Sequence, residues 1–282
     1  MYSDILLLLM SHPHRTRSLA ATLVCFQELA RATIAKALST YTYEKSECLV
    51  RVNPMSTTLG VADLQFMLAQ PKLPHGFVVP KLDSVEELLL AVGLIEQEEA
   101  VRRDHGENVK MALVGIIESP TAMVDLKDIM RCKAGNRLNA VIFGGDDYGQ
   151  SVGATRTESN HEIQFARNWM MMLAAAHNIQ AIDIVHKTFK DIDALRRECK
   201  EAAEMGYTGK QLIHPTQIAH ANELFAPNPE LLKWAKRVVD ADAAHQAAGT
   251  GAFSLDGMMI DMPTVKLAEK IWNRGVACGV QI

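Results

Sequence analysis

The sequence is short of several features that would assign its class at once. Its five cysteines, Cys25, Cys48, Cys132, Cys199 and Cys278, are scattered, and no CxxC pair occurs. That spacing excludes a disulfide scaffold or a cysteine-based zinc site and reads as reduced, intracellular thiols. The longest strongly apolar run near the start, 5–10, is far too short to span a bilayer, so no membrane partner is expected. Basic residues are not in excess: 29 Lys and Arg stand against 33 Asp and Glu, a formal net charge of −4. Nothing in that balance points to a nucleic-acid partner. A Gly-rich first strand–helix turn is also missing. The GTG at 249–251 follows a helical stretch and does not match the dinucleotide-binding fingerprint. Acidic residues are absent between Asp4 and Glu28, where Arg15 and Arg17 occur. This faintly resembles an organelle transit peptide, and an irregular N-terminus explains it equally well.

What is present is an alternation of short apolar runs and longer helical patterns. The runs lie at 4–10, 47–53, 76–81, 111–118, 140–147, 181–186 and 210–215. They are rich in Val, Ile and Leu and mostly lack polar alternation, as strands buried on both faces do. Between them, Ser84 followed by Glu86-Glu87 marks a helix start, 158–177 reads as one long helix, and Gly206 caps a helix over 192–205. Strand–helix alternation predicts a parallel sheet with crossover helices. The predicted fold is an α/β, TIM-type (β/α) barrel over 1–225. A closed barrel has eight strands and seven runs are visible, so the first strand is expected to be lacking. A doubly wound open sheet is the structural alternative. Residues 226–282 are too few for an independent core and are expected to form a C-terminal helical appendage or lid. No internal repeat or low-complexity segment is visible.

In a parallel α/β barrel, chemistry gathers where strands end. The runs there carry Arg51, Lys81, Glu118, then Gly144-Gly145-Asp146-Asp147, and His214 before Pro215. Each alone has an ordinary explanation: a surface ion pair, a cap, turn chemistry, a structural histidine. Together they set an arginine, a lysine and several carboxylates on one rim. Paired carboxylates with room for water and substrate oxygens suit Mg²⁺, and paired glycines let backbone N–H groups approach a carboxylate ligand.

Six segments make the pattern specific: VRVNP at 50–54, PKLDSVEEL at 80–88, IESPTAM at 117–123, FGGDDYGQSVGAT at 143–155, GYTGKQLIHPTQI at 206–218 and GMMIDMP at 257–263. In this order, over about four fifths of the chain, they resemble the citrate lyase beta-like (HpcH/HpaI aldolase) family, nearest its eukaryotic citramalyl-CoA lyases. The resemblance implies a Mg²⁺-dependent carbon–carbon lyase acting on acyl-CoA thioesters and 2-oxoacids. It implies Glu118 and Asp147 as Mg²⁺ ligands, and Arg51 on the 2-oxoacid or the breaking bond's oxygen. It further implies substrate contacts from Gly145, Asp146, Ile213 and His214, and Asp261 as catalytic acid/base delivered by a neighbouring subunit, hence a homotrimer. By the same resemblance the location is mitochondrial, with cytoplasmic as the alternative.

The front of the chain departs from that family. The family's opening strand with its Pro-Gly turn has no counterpart, the acidic segment expected after 4–10 is replaced by Met10-Ser11-His12-Pro13, and 11–26 match nothing. An aberrant or truncated N-terminus and impaired activity are therefore expected. Two other readings stay open: a Mg²⁺ aldolase of free hydroxy-diacids, separable by its affinity for CoA thioesters, and an inactive subunit with a binding role.

Overall fold

In the computed structural model, residues 4–9, 20–42, 46–247 and 253–277 are described. The segment 10–19, which holds the departure at Met10–Pro13 and the two arginines of the transit-like stretch, lies outside them.

Seven parallel strands pair in chain order. They are β1 (Asp4–Leu9), β2 (Ser46–Arg51), β3 (Gly76–Val79), β4 (Ala112–Ile117), β5 (Leu138–Phe143), β6 (Gln180–Asp183) and β7 (Gly209–Lys210). The connecting helices are α1 (Ala20–Thr40), α2 (Thr58–Leu68), α3 (Val85–Asp104), α4 (Pro120–Arg131), α5 (Gly145–Ser151), α6 (Gln164–Ala176) and α7 (Ile192–Met205), with α8 (Ile218–Phe225) after β7. A sheet whose strands follow chain order with a helix after each is the wiring of a (β/α) barrel. Among the described residues β1 and β7 each pair on one side only, so the sheet is a curled, open part of such a barrel.

Strand alternation sorts the apolar residues into two sets. Cys48, Val50, Phe77, Val79, Leu113, Ile117, Val141, Phe143 and Ala181 join the main core with the helices. Leu49, Val78, Val114, Ile116, Ala140 and Ile142 pack on one another as a smaller inner cluster. By parity Arg51, Glu118 and Gly144 continue that inner set past its C-terminal edge. The continuous apolar runs thus reflect strands covered on both faces.

Helix ends follow the local chemistry. Ser84 Oγ caps α3 by accepting from the Glu87 N–H at 3.2 Å, and Glu87 Oε2 accepts from the N–H of the preceding residue, Asp83, at 2.9 Å. Gly206, at φ 102°, closes α7. Two expectations change. The helix foreseen over 158–177 begins only at Gln164, after a 3₁₀ turn at His161–Ile163, because Asn160 adopts φ 53°. The strand foreseen over 210–215 stops at Lys210. There the Gln217 side chain takes the N–H groups of Ile213 and His214 at 3.0 and 3.1 Å, in place of a neighbouring strand.

Beyond α8, α9 (Pro229–Ala247), a hairpin of β8 (Phe253–Leu255) and β9 (Met258–Ile260), and α10 (Met262–Ala277) follow. They share a separate apolar cluster of Ala235, Val238, Phe253, Ile260, Val265 and Ala268. Gly275 is needed there: a Cβ at this position would lie 2.3 Å from Leu232 Cδ1. No helix among the described residues is long and apolar enough to cross a membrane.

Candidate active site

The site is built from four consecutive strand ends. β4 runs directly into Glu118, which is only 7% exposed. Ser119 then caps α4, its Oγ accepting from the Ala122 N–H at 2.9 Å and donating to Asp83 Oδ1 at 2.6 Å. That second bond ties the loop after β4 to the loop after β3. In the latter, Lys81 sits at φ 49°, and its backbone N–H donates to Glu118 Oε1 at 2.8 Å.

The β4–β5 register pairs Ile117 with Phe143, so Glu118 lies beside Gly144. A Cβ on Gly144 would stand 2.3 Å from Glu118 Cβ and 2.8 Å from Glu118 Oε2. Glycine is required here by close approach. The Gly144 N–H donates to Ile117 O at 2.9 Å, so this amide is used by the fold. The amides of Gly145, Asp146 and Asp147 open α5, where first-turn N–H groups have no acceptor within the helix.

The two acids of α5 differ in their company. Asp146 is held on both sides, Oδ1 by Arg156 Nη1 and Oδ2 by Lys187 Nζ, each at 2.9 Å. Asp147 meets Lys81 Nζ at 3.0 Å, a pair about half exposed on both sides. Asp146 is thus neutralised by the protein, while Asp147 stays at the mouth. Neither Arg156 nor Lys187 stood out in the sequence as a partner for it.

Burial, then the negative charge of Asp147, push the Glu118 pKa above the ordinary carboxylate value, against the Lys81 N–H bond and the charges of Lys81 and Arg51. The hydrogen bond to Asp147 raises the Lys81 pKa. Arg51, half-buried at the end of β2, acts on Glu118 through its charge, and its guanidinium makes no hydrogen bond among the described residues. Its guanidinium is free to meet an anion.

A buried carboxylate whose pKa is raised by a second acid beside it is short of positive charge, and hard oxygen donors with open surroundings fit Mg²⁺. Among the described residues no cluster of three or more His, Cys, Asp or Glu could hold a metal, so the fit is to an ion that keeps water or substrate oxygens.

The remaining candidates lie apart from this group in their bonding. Ile213 is exposed. His214 stacks on Phe189 with ring centroids 4.6 Å apart, and its Nδ1 lies 2.8 Å from Thr216 Oγ1. Asp261 is exposed before α10 and accepts from Thr264 Oγ1 at 2.6 Å and Thr264 N at 3.0 Å, which lowers its pKa. None of its hydrogen bonds among the described residues reaches Glu118, Asp147 or Arg51.

Comparison with known proteins agrees with this architecture. The HpcH/HpaI aldolase/citrate lyase family matches residues 22–215. The mitochondrial citramalyl-CoA lyase of Rattus norvegicus is 37% identical over 248 residues, 86% of this chain and 72% of the relative. Citrate lyase subunit beta of Haemophilus influenzae is 31% identical over 249 residues, 88% of this chain and 83% of the relative. Among solved structures, protein CitE from Mycobacterium tuberculosis, in complex with magnesium, acetoacetate and coenzyme A, shares the fold with a TM-score of 0.66 at 22% identity, over 96% of this chain and 89% of that one. Fold and relatives together define an α/β enzyme of the lyase class. The chain belongs to the HpcH/HpaI aldolase/citrate lyase family.

Proposed function

We propose that this protein is a Mg²⁺-dependent acyl-CoA lyase. It cleaves citramalyl-CoA, or malyl-CoA, between the thioester-bearing carbon unit and the hydroxyl-bearing carbon. The products are acetyl-CoA and pyruvate, or acetyl-CoA and glyoxylate, and the reverse is a Claisen-type condensation. The observation that carries this reading is the Glu118–Asp147 pair, a buried carboxylate with a raised pKa beside a second acid at the sheet's mouth. Support for magnesium and a CoA thioester comes from the relatives named citramalyl-CoA lyase and the fold neighbour solved with magnesium and coenzyme A.

In this reading Glu118 and Asp147 hold the ion. The ion supplies Lewis-acid polarisation of the 2-oxoacid oxygens. Arg51, without a side-chain partner among the described residues and at the same rim, stabilises negative charge on the substrate's hydroxyl oxygen as its proton leaves. The first-turn amides at Gly145–Asp147 face the substrate carboxylate, and Arg156 and Lys187 keep the Asp146 side chain out of its way. Ile213 and His214 line the entry for the acyl-CoA. Asp261 exchanges a proton with the enolate carbon. Its lowered pKa makes it a carboxylate while exposed. Docked over the mouth of a neighbouring subunit it would lose water, and its pKa would rise toward the range a proton carrier needs. On this account residues 226–282 act as a lid shared within a homotrimer. A mitochondrial location is supported by relatives named mitochondrial citramalyl-CoA lyase.

The test is a cleavage assay on the purified chain with citramalyl-CoA and malyl-CoA, with Mg²⁺ and with chelator. Metal-dependent release of acetyl-CoA is expected, at a reduced rate given the departure at the front of the chain. Cleavage of the free hydroxy-diacid with none of the thioester would replace this reading with a CoA-independent aldolase.

A further inference from the structure

Lys81 touches both candidate metal-binding acids, by two different parts of itself. Its backbone N–H donates to Glu118 Oε1 at 2.8 Å, and its ammonium lies 3.0 Å from Asp147 Oδ2. The left-handed backbone at φ 49° lets one residue reach both ways. The two contacts differ in kind. The amide contact exists whatever the side chain and fixes how Glu118 points. The ammonium contact is half exposed at both partners, 52% and 47%, and pairs of that sort are weak and exchangeable.

We propose that Lys81 is a positioning residue that serves as the resident cation of Asp147, so that divalent-ion binding at this site is an exchange of one cation for another. The inference rests on the divalent-ion reading above. A dication that takes Asp147 Oδ2 pushes the ammonium off it, because the two cations repel at contact distance and a half-exposed pair holds the ammonium only weakly. Until displaced, Lys81 keeps the Asp147 carboxylate turned to the mouth and offsets its repulsion with Glu118. Once displaced, the ammonium stands beside the ion on a stem long enough to meet an anionic substrate. Lys81 therefore lowers affinity for the metal alone. A residue that merely shaped the site would do the opposite.

The sign of the effect is the test. Mn²⁺ alone, without substrate, is titrated by calorimetry into the full chain and into Lys81→Met, Lys81→Arg and Asp147→Asn, each checked for folding by circular dichroism. Lys81→Met should bind about three- to tenfold tighter than wild type, the scale of a half-exposed ion pair plus a removed like charge. Lys81→Arg should return toward wild type, and Asp147→Asn should lose binding. Lys81→Gln replaces the Met variant if the latter does not fold. Unchanged or weaker binding in the neutral variant, with binding still lost in Asp147→Asn, overturns the exchange and leaves the metal reading standing. Absence of binding in wild type and neutral variant alike overturns both.

Discussion

Two charged groups sit at neighbouring strand ends and obey opposite rules. On the outer side of β6 and β7, Asp183 is fully buried and meets Arg167 Nε at 3.1 Å, Arg167 Nη2 at 3.2 Å and Lys210 Nζ at 2.9 Å. Glu198 contacts Lys210 Nζ and His186 Nδ1, and Glu201 contacts Arg167 Nη1, each at 2.9 Å. Every acid there faces a cation, and the cluster clasps α6, α7, β6 and β7 together. At the inner mouth, Glu118 is almost as buried, yet its one hydrogen bond among the described residues is to a backbone N–H, and after burial the largest influence on its pKa is another acid. A matched cluster holds the fold. A mismatched one waits for charge from outside. Burial alone therefore does not mark a functional acid; burial without a cationic side chain in contact does.

Breaking the matched cluster should cost the most. Asp183→Ala leaves Arg167 and Lys210 buried without their shared acid, and a loss of about 3–5 kcal/mol is expected, read from the urea midpoint. A loss under about 1 kcal/mol would mean the cluster is not the clasp described. Gly144→Ala attacks the other region sterically. Its Cβ would overlap Glu118 Cβ at 2.3 Å, so about 1–3 kcal/mol of stability should go, together with divalent-ion affinity, because Glu118 is the atom group that must move. Retained ion affinity would show that Glu118 has no tight placement.

The smallest effect concerns pH. Glu118 has a raised pKa, so the folded protein keeps a proton there that the unfolded chain has already released. Its favourable contribution is complete below the ordinary carboxylate range and is lost as pH rises through its own raised pKa. Glu118→Gln cannot ionise, so its stability should gain on wild type across that window in urea titrations at stepped pH, by a few tenths to about 1 kcal/mol. Added Mg²⁺ should cancel the gain, since the ion stabilises only the ionised wild type. A gap that stays constant with pH would remove Glu118 as the perturbed acid.

The apolar runs made β2 to β5 legible, because strands buried on both faces cannot disguise themselves as amphipathic segments. The ends of β6 and β7 were less legible. Lys210 continues into Gln211-Leu212-Ile213, which looks like strand, and only the fold reveals that Gln217 intercepts the amides that would extend it. Glu118, Asp146, Asp147 and Arg51 were visible as strand-end residues. That Arg156 and Lys187 neutralise Asp146 and not Asp147 depends on loops converging from 10 and 41 positions away, which no local pattern encodes. The Lys81 bridge depends on a left-handed backbone at a residue type that seldom adopts one. Arg167 left a trace in the sequence: it falls within the apolar stripe of α6, next to Ala166 and three residues before Met170, where a charge needs a buried partner.

The central claim is that Glu118 and Asp147 share one divalent ion at the mouth of the sheet. The most direct measurement is the anomalous scattering of Mn²⁺ in crystals of this protein. One site is predicted, with an oxygen of each carboxylate within ~2 Å, the distance such an ion demands of its ligands. An ion bound by Asp147 without Glu118, or seated away from both, would contradict the account.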